Sequence, residues 1–413
     1  MRVLAGLRPL RSSPPFRRLW VGTTLSAMGG ALTTFAVPLQ IWDLTRSSLA
    51  VGGLGVAELA PLLTVGLFGG HLADAVDRCR LLLVTRVVRV ATSAALAAQA
   101  FGGSHLVWLL YGLVALQSAA GVLGAPASQA VVTGLLAGDQ LAAGLALRRV
   151  TFQLMLIVGP AVGGLVAGVP ALGLRTCYLV DTVSFAASFW GIVGLPVPPP
   201  RAARPGARGV ADGLRLVARR QPLAGALLAD LAATVLALPV VLFPAINSAR
   251  FGGDPRTLGL LSAAIGVGGL LTAACSAPFT RAVHQGRVIL AAVAVWGAAF
   301  AGFAVVRDIG PTLALLALAG AADTVTVVLR GAVVQANAPD ELRGRVSAAE
   351  YVVGGGGGQL GNVASGALAS VTSPATSALA GGLATVVAVG AIAAALPGFR
   401  RYRAATAPAP SPV

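Results

Sequence analysis

Five carboxylates lie inside apolar runs of this chain: Glu58, Asp181, Asp230, Asp323 and Glu350. A charge in hydrocarbon is costly, so such a group faces a cavity or a partner. A carboxyl that is costly to ionise is suited to taking up and releasing a proton. All five are candidates for proton coupling, with Glu58 first, then Asp230 and Asp323, which also fall well inside their runs. The plainer alternative is a structural acid hydrogen-bonded within a helix bundle. Gln40, Gln153, Gln359, Asn362, Tyr178 and Phe185 are candidates for lining a path, because a bulky, partly aromatic molecule needs apolar walls and a few hydrogen-bonding groups. Enzyme chemistry is not indicated. His71, His105 and His284 share no metal-ligand spacing, and Cys79, Cys177 and Cys275 stand singly. A Walker-type phosphate loop needs a lysine, and the chain has none, so neither a cofactor, a metal nor direct ATP use is expected.

The elements that would position these groups are membrane helices. Hydrophobic residues make up 56% of 413 and charged residues only 11%, less than half the roughly 25% of an ordinary soluble domain. Twelve apolar runs are each long enough to cross a bilayer, which takes about 20 residues: 19–42, 49–72, 81–101, 105–126, 147–169, 174–195, 222–246, 257–279, 286–305, 309–330, 346–370 and 374–398. The net charge of +16 does not indicate nucleic acid, since the arginines fall between apolar runs and not along one polar face. An even number of spans puts both termini on one side. Of the 30 basic residues, all arginine, only Arg46, Arg175, Arg250, Arg256 and Arg307 fall on the other side, which places both termini in the cytoplasm.

The chain divides into residues 1–195, an Arg- and Pro-rich cytoplasmic linker 196–221, residues 222–398 and a cytoplasmic tail 399–413. The two halves echo one another: Gly159-Pro160…Gly163-Gly164 lies about 202 residues before Gly361-Asn362…Ser365-Gly366. Parallel six-span repeats indicate an all-α integral membrane transporter, two pseudo-symmetric six-helix bundles around a central path. A non-transporting membrane scaffold or receptor is the alternative of another class. A twelve-span carrier needs no partner to enclose a path, so a monomer is expected, in contact with lipid, protons and a small-molecule cargo.

Three motifs are more specific. The first is Gly70-x-Leu72-Ala73-Asp74-x-x-Asp77-Arg78-x-Arg80, between spans 2 and 3. Asp74, at the membrane boundary, can accept hydrogen bonds from a helix N-terminus, and Arg78 and Arg80 can snorkel or pair with phosphates. The second is Gly159-Pro160-Ala161-Val162-Gly163-Gly164, followed by Gly168. Its glycines four apart make small surfaces for close helix approach, and Pro160 removes an internal hydrogen bond. The third is Asp340-Glu341-Leu342-Arg343-Gly344-Arg345, then the run Gly354 to Gly358. Asp340 or Glu341 can cap the helix beginning near Arg343, and the glycine run is a place where a helix bends easily.

The first motif resembles the loop 2–3 signature of the major facilitator superfamily, and nearly the whole chain can be laid along that family. The resemblance implies a conformational latch formed by Gly70, Asp74, Asp77, Arg78 and Arg80 with Asp340, Arg343, Gly344 and Arg345. The second motif is similar to the helix 5 signature of the superfamily's exporters and antiporters, which implies export. Patches such as Ala36-Val37-Pro38-Leu39-Gln40-Ile41, Phe243-Pro244-Ala245 and Leu260-Leu261-Ser262-Ala263-Ala264-Ile265 resemble the enterobactin-exporter group. That implies a proton-coupled exporter in a bacterial inner membrane with a siderophore as cargo, or, as the alternative, a multidrug or antibiotic efflux carrier.

Overall fold

The computed structural model describes residues 8–75, 78–103, 105–136, 138–195, 207–275, 279, 282–339 and 342–403. Among these, every regular element is helical. The long helices are Pro14–Thr45 (α1), Leu54–Ala75 (α2), Arg78–Phe101 (α3), Val107–Leu135 (α4), Gly138–Ala167 (α5), Gly173–Ser188 (α6), Gln221–Leu236 (α7), Pro255–Ala274 (α8), Gln285–Val305 (α9), Ile309–Asn337 (α10), Arg343–Val371 (α11) and Pro374–Ala395 (α12). Nine segments among the described residues are long and apolar enough to cross a membrane on composition alone. The three positions outside that set are α1 and α11, diluted by Gly, Ser and Thr, and α6, which has only 16 residues.

Packing repeats between the halves. In the first, α1 packs on α5 and α6, α3 on α4 and α6, and α2 on α4; in the second, α7 packs on α11 and α12, α9 on α10 and α12, and α8 on α10. Adding six to each helix number converts one set into the other. The bundles then meet in two equivalent places, α5 against α8 and α2 against α11. Large apolar side chains such as Val87, Phe152, Val183, Leu271 and Val387 stay exposed. In water this would be a liability; a bilayer accommodates such a surface.

Several helices differ in length from their apolar runs. The fourth, expected over 105–126, continues to Leu135, and the fifth, expected from 147, begins at Gly138. The tenth, expected to end at 330, runs to Asn337. A helix satisfies its own backbone and so continues past the hydrocarbon edge, where the sequence turns polar and the apolar signal stops. The sixth ends early, in a 3-10 turn at Phe189–Gly191. The seventh, expected as one span over 222–246, breaks after Leu236 into a 3-10 turn, Pro239–Leu242, and the helix Phe243–Arg250. Pro239 has no N–H to continue the ladder, and the Trp296 indole donates to the Ala237 carbonyl at 2.8 Å, occupying an acceptor at the break.

Within the linker, Ala207–Arg219 is a helix. Its Val217 is buried with Leu223 and Leu227 of α7, Val334 of α10 and Val346 of α11, so the segment lies against the second bundle.

Candidate functional site

Both bundle contacts are built on glycine. A Cβ on Gly164 of α5 would stand 2.9 Å from the Gly259 Cα of α8, and a Cβ on Gly366 of α11 would stand 2.8 Å from the Gly52 Cα, in the turn of helix Ser48–Gly52 that leads into α2. These separations leave no room for a side chain, so backbone rests on backbone at both crossings. Both lie at the end of the molecule away from the termini. Gly159 and Gly163 face the other way, onto Ala31 and Phe35 of α1, and the Pro160 carbonyl sits over Gly259. The second motif therefore joins α5 to two neighbours at once.

Closer to the middle of the α2–α11 contact is a polar chain. Gln359 Nε2 donates to Glu58 Oε2 at 2.6 Å, and Asn362 Nδ2 donates to Gln359 Oε1 at 3.0 Å. Ser118 of α4 donates to the Glu58 carbonyl at 3.3 Å. All three side chains of the chain are half-buried. Glu58, Gln359 and Asn362 are thus one site, with its acid on one bundle and its amides on the other.

The second bundle holds a second site. Arg330 of α10 lies between two acids: it is ion-paired with Asp230 of α7, and its Nε is 3.0 Å from Glu350 Oε1 of α11. Asp323, two turns earlier on α10, is within electrostatic reach of Asp230 and Arg330. Gly354 of α11 lies beside this group, where a Cβ would be 3.8 Å from Asp230 Oδ2. Arg330 is the residue that the apolar pattern misses. Ending span 10 at residue 330 leaves it at the water boundary, whereas the helix continues for seven more residues, about 10 Å, and carries it inside. A buried guanidinium needs acids, and three are supplied.

The glycine run is a packing surface on both of its sides. Gly357 abuts Thr234 and Leu231 of α7, while Gly355 and Gly356 meet Leu62 and Leu59 of α2. Helix α11 is continuous through the run.

Asp181 is fully buried in the first bundle. Its Oδ2 accepts from Thr33 of α1 at 2.6 Å and from Ser93 of α3 at 2.8 Å, and Gln117 of α4 donates to the Ser93 hydroxyl at 2.8 Å. Four helices are tied at this one carboxylate. Gln40 and Tyr178 form a similar knot: Gln40 exchanges two 3.1 Å hydrogen bonds with Gln99, and the Tyr178 hydroxyl donates to Gln40 Oε1 at 2.7 Å. Their polar atoms are satisfied inside the first bundle and are not offered to a path. Phe185 is buried beneath the Arg89 guanidinium, 4.7 Å from the ring centre. Gln153 lies at the α5–α8 contact, its Nε2 3.0 Å from where a Cβ on Gly269 would stand. Of the latch residues, Arg80 is exposed on α3. Asp77 and Asp340 lie outside the described residues, as do the side chains of Asp74, Arg78, Arg343 and Arg345; Gly70 and Gly344 fall on α2 and α11.

Two six-helix bundles related by a half-repeat, meeting through glycine crossings and carrying ionisable groups in their interiors, define a transporter of the major facilitator type, not an enzyme. The chain belongs to the transmembrane secretion effector family of that superfamily, whose model matches residues 4–410. It is 28% identical over 394 residues to the multidrug efflux pump Tap of Mycolicibacterium fortuitum, covering 92% of this chain and 95% of that protein. It is 26% identical over 409 residues to the enterobactin exporter EntS of Shigella flexneri, covering 97% and 96%. Among solved structures, the nucleoside transporter NupG aligns with a TM-score of 0.74 at 15% identity, over 92% of this chain and 98% of that one. A bacterial homologue of the iron transporter ferroportin, in an inward-facing state, aligns with a TM-score of 0.71 at 16% identity, over 94% and 98%. At these identities the structures speak for the fold alone.

Proposed function

We propose that this protein is a proton-coupled exporter of a siderophore of enterobactin type, working as a monomer in a bacterial inner membrane with both termini in the cytoplasm. The observation that carries the coupling is the Glu58–Gln359 hydrogen bond, 2.6 Å long and spanning the two bundles. Alternating access requires the bundles to part along one contact and close along another. Parting α2 from α11 takes away the donor from Glu58, so the carboxyl's preference for its proton differs between the two arrangements. A proton bound in one and released in the other drives the cycle.

Asp230, Arg330, Glu350 and Asp323 are the second station. One guanidinium cannot neutralise three acids, so this group carries protons or a cation whenever it is closed off from water. Asp181 is assigned a structural role, since its Oδ2 is tied to α1 and α3 directly and to α4 through the Ser93 hydroxyl, all within its own bundle. The halves 1–195 and 222–398 act as the moving units, joined by the linker 196–221, with 399–413 as a tail. With the termini inside, the glycine crossings lie on the periplasmic half and the latch motifs on the cytoplasmic half, where they would hold the opposite state.

The cargo assignment rests on the relatives. It is tested by measuring secretion of the host's own siderophore in a deletion strain and in the complemented strain, with and without a protonophore. Export lost on deletion, restored by the gene and collapsed by the protonophore supports the reading. Unchanged siderophore secretion together with increased drug sensitivity would move the cargo to the multidrug class, as the Tap relationship favours.

A further inference from the structure

The interiors of the two bundles carry opposite charge. In the second bundle three acids face one arginine, as described above. In the first, three arginines face one acid: Arg86 and Arg89 of α3 and Arg148 of α5 are within electrostatic reach of one another through Arg86, while Asp181 is the acid that Arg89 senses. None of the three makes an ion pair within 4 Å among the described residues. Arg86 donates to Ser26 of α1 at 3.0 Å, and Arg148 donates to Gln129 and Ser128 of α4 at 3.2 and 3.4 Å, so each holds on to neutral oxygens only. The buried Arg89 Nε has no hydrogen-bond partner. Arg86 and Arg89 both lie over the Phe185 ring, at 5.8 and 4.7 Å from its centre. All three arginines are partly exposed, and all lie in the half of the bundle nearer the termini.

Gathering like charges inside a bundle is unfavourable without a counter-charge. Other arginines of the structure are better satisfied: Arg330 lies between two acids, and Arg250 donates to the carbonyls of Phe303, Ala304 and Val306. Guanidiniums with unused donors, held in place here by stacking on a buried ring, form the usual receptor for a planar oxyanion.

We propose that Arg86, Arg89 and Arg148 form the binding site for a planar anionic group of the cargo, an aryl carboxylate or catecholate. This rests on the exporter reading and adds to it the charge of the substrate and the bundle that holds it. The acids of the second bundle, and Glu58 at the seam between the bundles, are then left free to carry protons, and cargo and proton occupy separate sites.

The test uses purified full-length protein in nanodiscs and two matched fluorescent probes, 2-naphthoate and 2-naphthylmethylammonium, with empty nanodiscs as the blank. The wild type is expected to bind 2-naphthoate saturably and at least about tenfold more tightly than the ammonium probe. R86Q and R148Q should each weaken 2-naphthoate binding about tenfold, the scale of one charge-assisted hydrogen bond, and R86K should restore most of it. Monodisperse elution of each variant controls for folding. Equal affinity for the two probes, or 2-naphthoate affinity unchanged in both glutamine variants, overturns the proposal. Flux of 2-naphthoate under an imposed pH gradient, measured in proteoliposomes, separates the two readings. Arginine-dependent binding without gradient-driven flux contradicts the exporter and keeps the site, whereas flux indifferent to R86Q and R148Q keeps the exporter and contradicts the site.

Discussion

Glu58 and Gln359, 301 residues apart in sequence, are joined by a 2.6 Å hydrogen bond that crosses from one bundle to the other. The contact is possible because the chain around it is stripped of bulk: Gly55 lies against the Gln359 backbone, and Gly355 and Gly356 take Leu62 and Leu59. A titratable group is thereby placed where the bundles must separate, which is where protonation and conformation can be coupled.

Arg330 should be essential for stability as well as transport. R330Q leaves Asp230 and Glu350 facing each other without a cation, and removing one partner from a buried ion pair costs about 3–5 kcal/mol. Thermal unfolding of purified protein should show a marked loss for R330Q. Adding D230N to R330Q should recover part of it, and a double variant no more stable than R330Q would argue against a direct pairing.

The glycine crossings should tolerate no side chain. G366V places a Cβ 2.8 Å from the Gly52 Cα, while G390V on α12 adds one where nothing lies within 4 Å. Overpacking of this kind costs about 1–3 kcal/mol, enough to hold the contact open. Efflux should fall at least about tenfold in G366V and stay near wild type in G390V, with both proteins at equal levels in the membrane.

Asp181 should behave as a structural residue. T33V with S93A removes both hydroxyl donors from its Oδ2 and should cost about 1–3 kcal/mol per buried group left unsatisfied. The melting temperature should drop, and transport per folded molecule should be retained. A normal melting temperature with transport abolished would instead place Asp181 in the proton path.

Much of this architecture is legible in the amino-acid sequence. Length and composition define the membrane class, and the 202-residue echo between Gly164 and Gly366 becomes the pair of equivalent glycine crossings. The acids stand out because charge is rare in apolar runs. Their partners do not. Nothing local in the sequence ties Glu58 to Gln359, because the pairing arises only when two half-repeats dock. Arg330 resembles one more cytoplasmic arginine, since hydropathy marks where hydrocarbon contact ends and not where a helix ends. Gln40 and Tyr178 read as path-lining residues because a polar group in an apolar run looks the same whether it faces a cavity or, as in this bundle, Gln99.

The central claim is tested most directly with E58Q. The amide retains an oxygen that can accept from Gln359, so the bundle contact is kept and only the exchangeable proton is lost. Cargo uptake would be measured in inside-out vesicles carrying wild type or E58Q at equal levels, with and without an imposed proton gradient. The account predicts gradient-driven uptake in wild type and none in E58Q, with gradient-independent exchange retained. Gradient-driven uptake of equal size in both would contradict it.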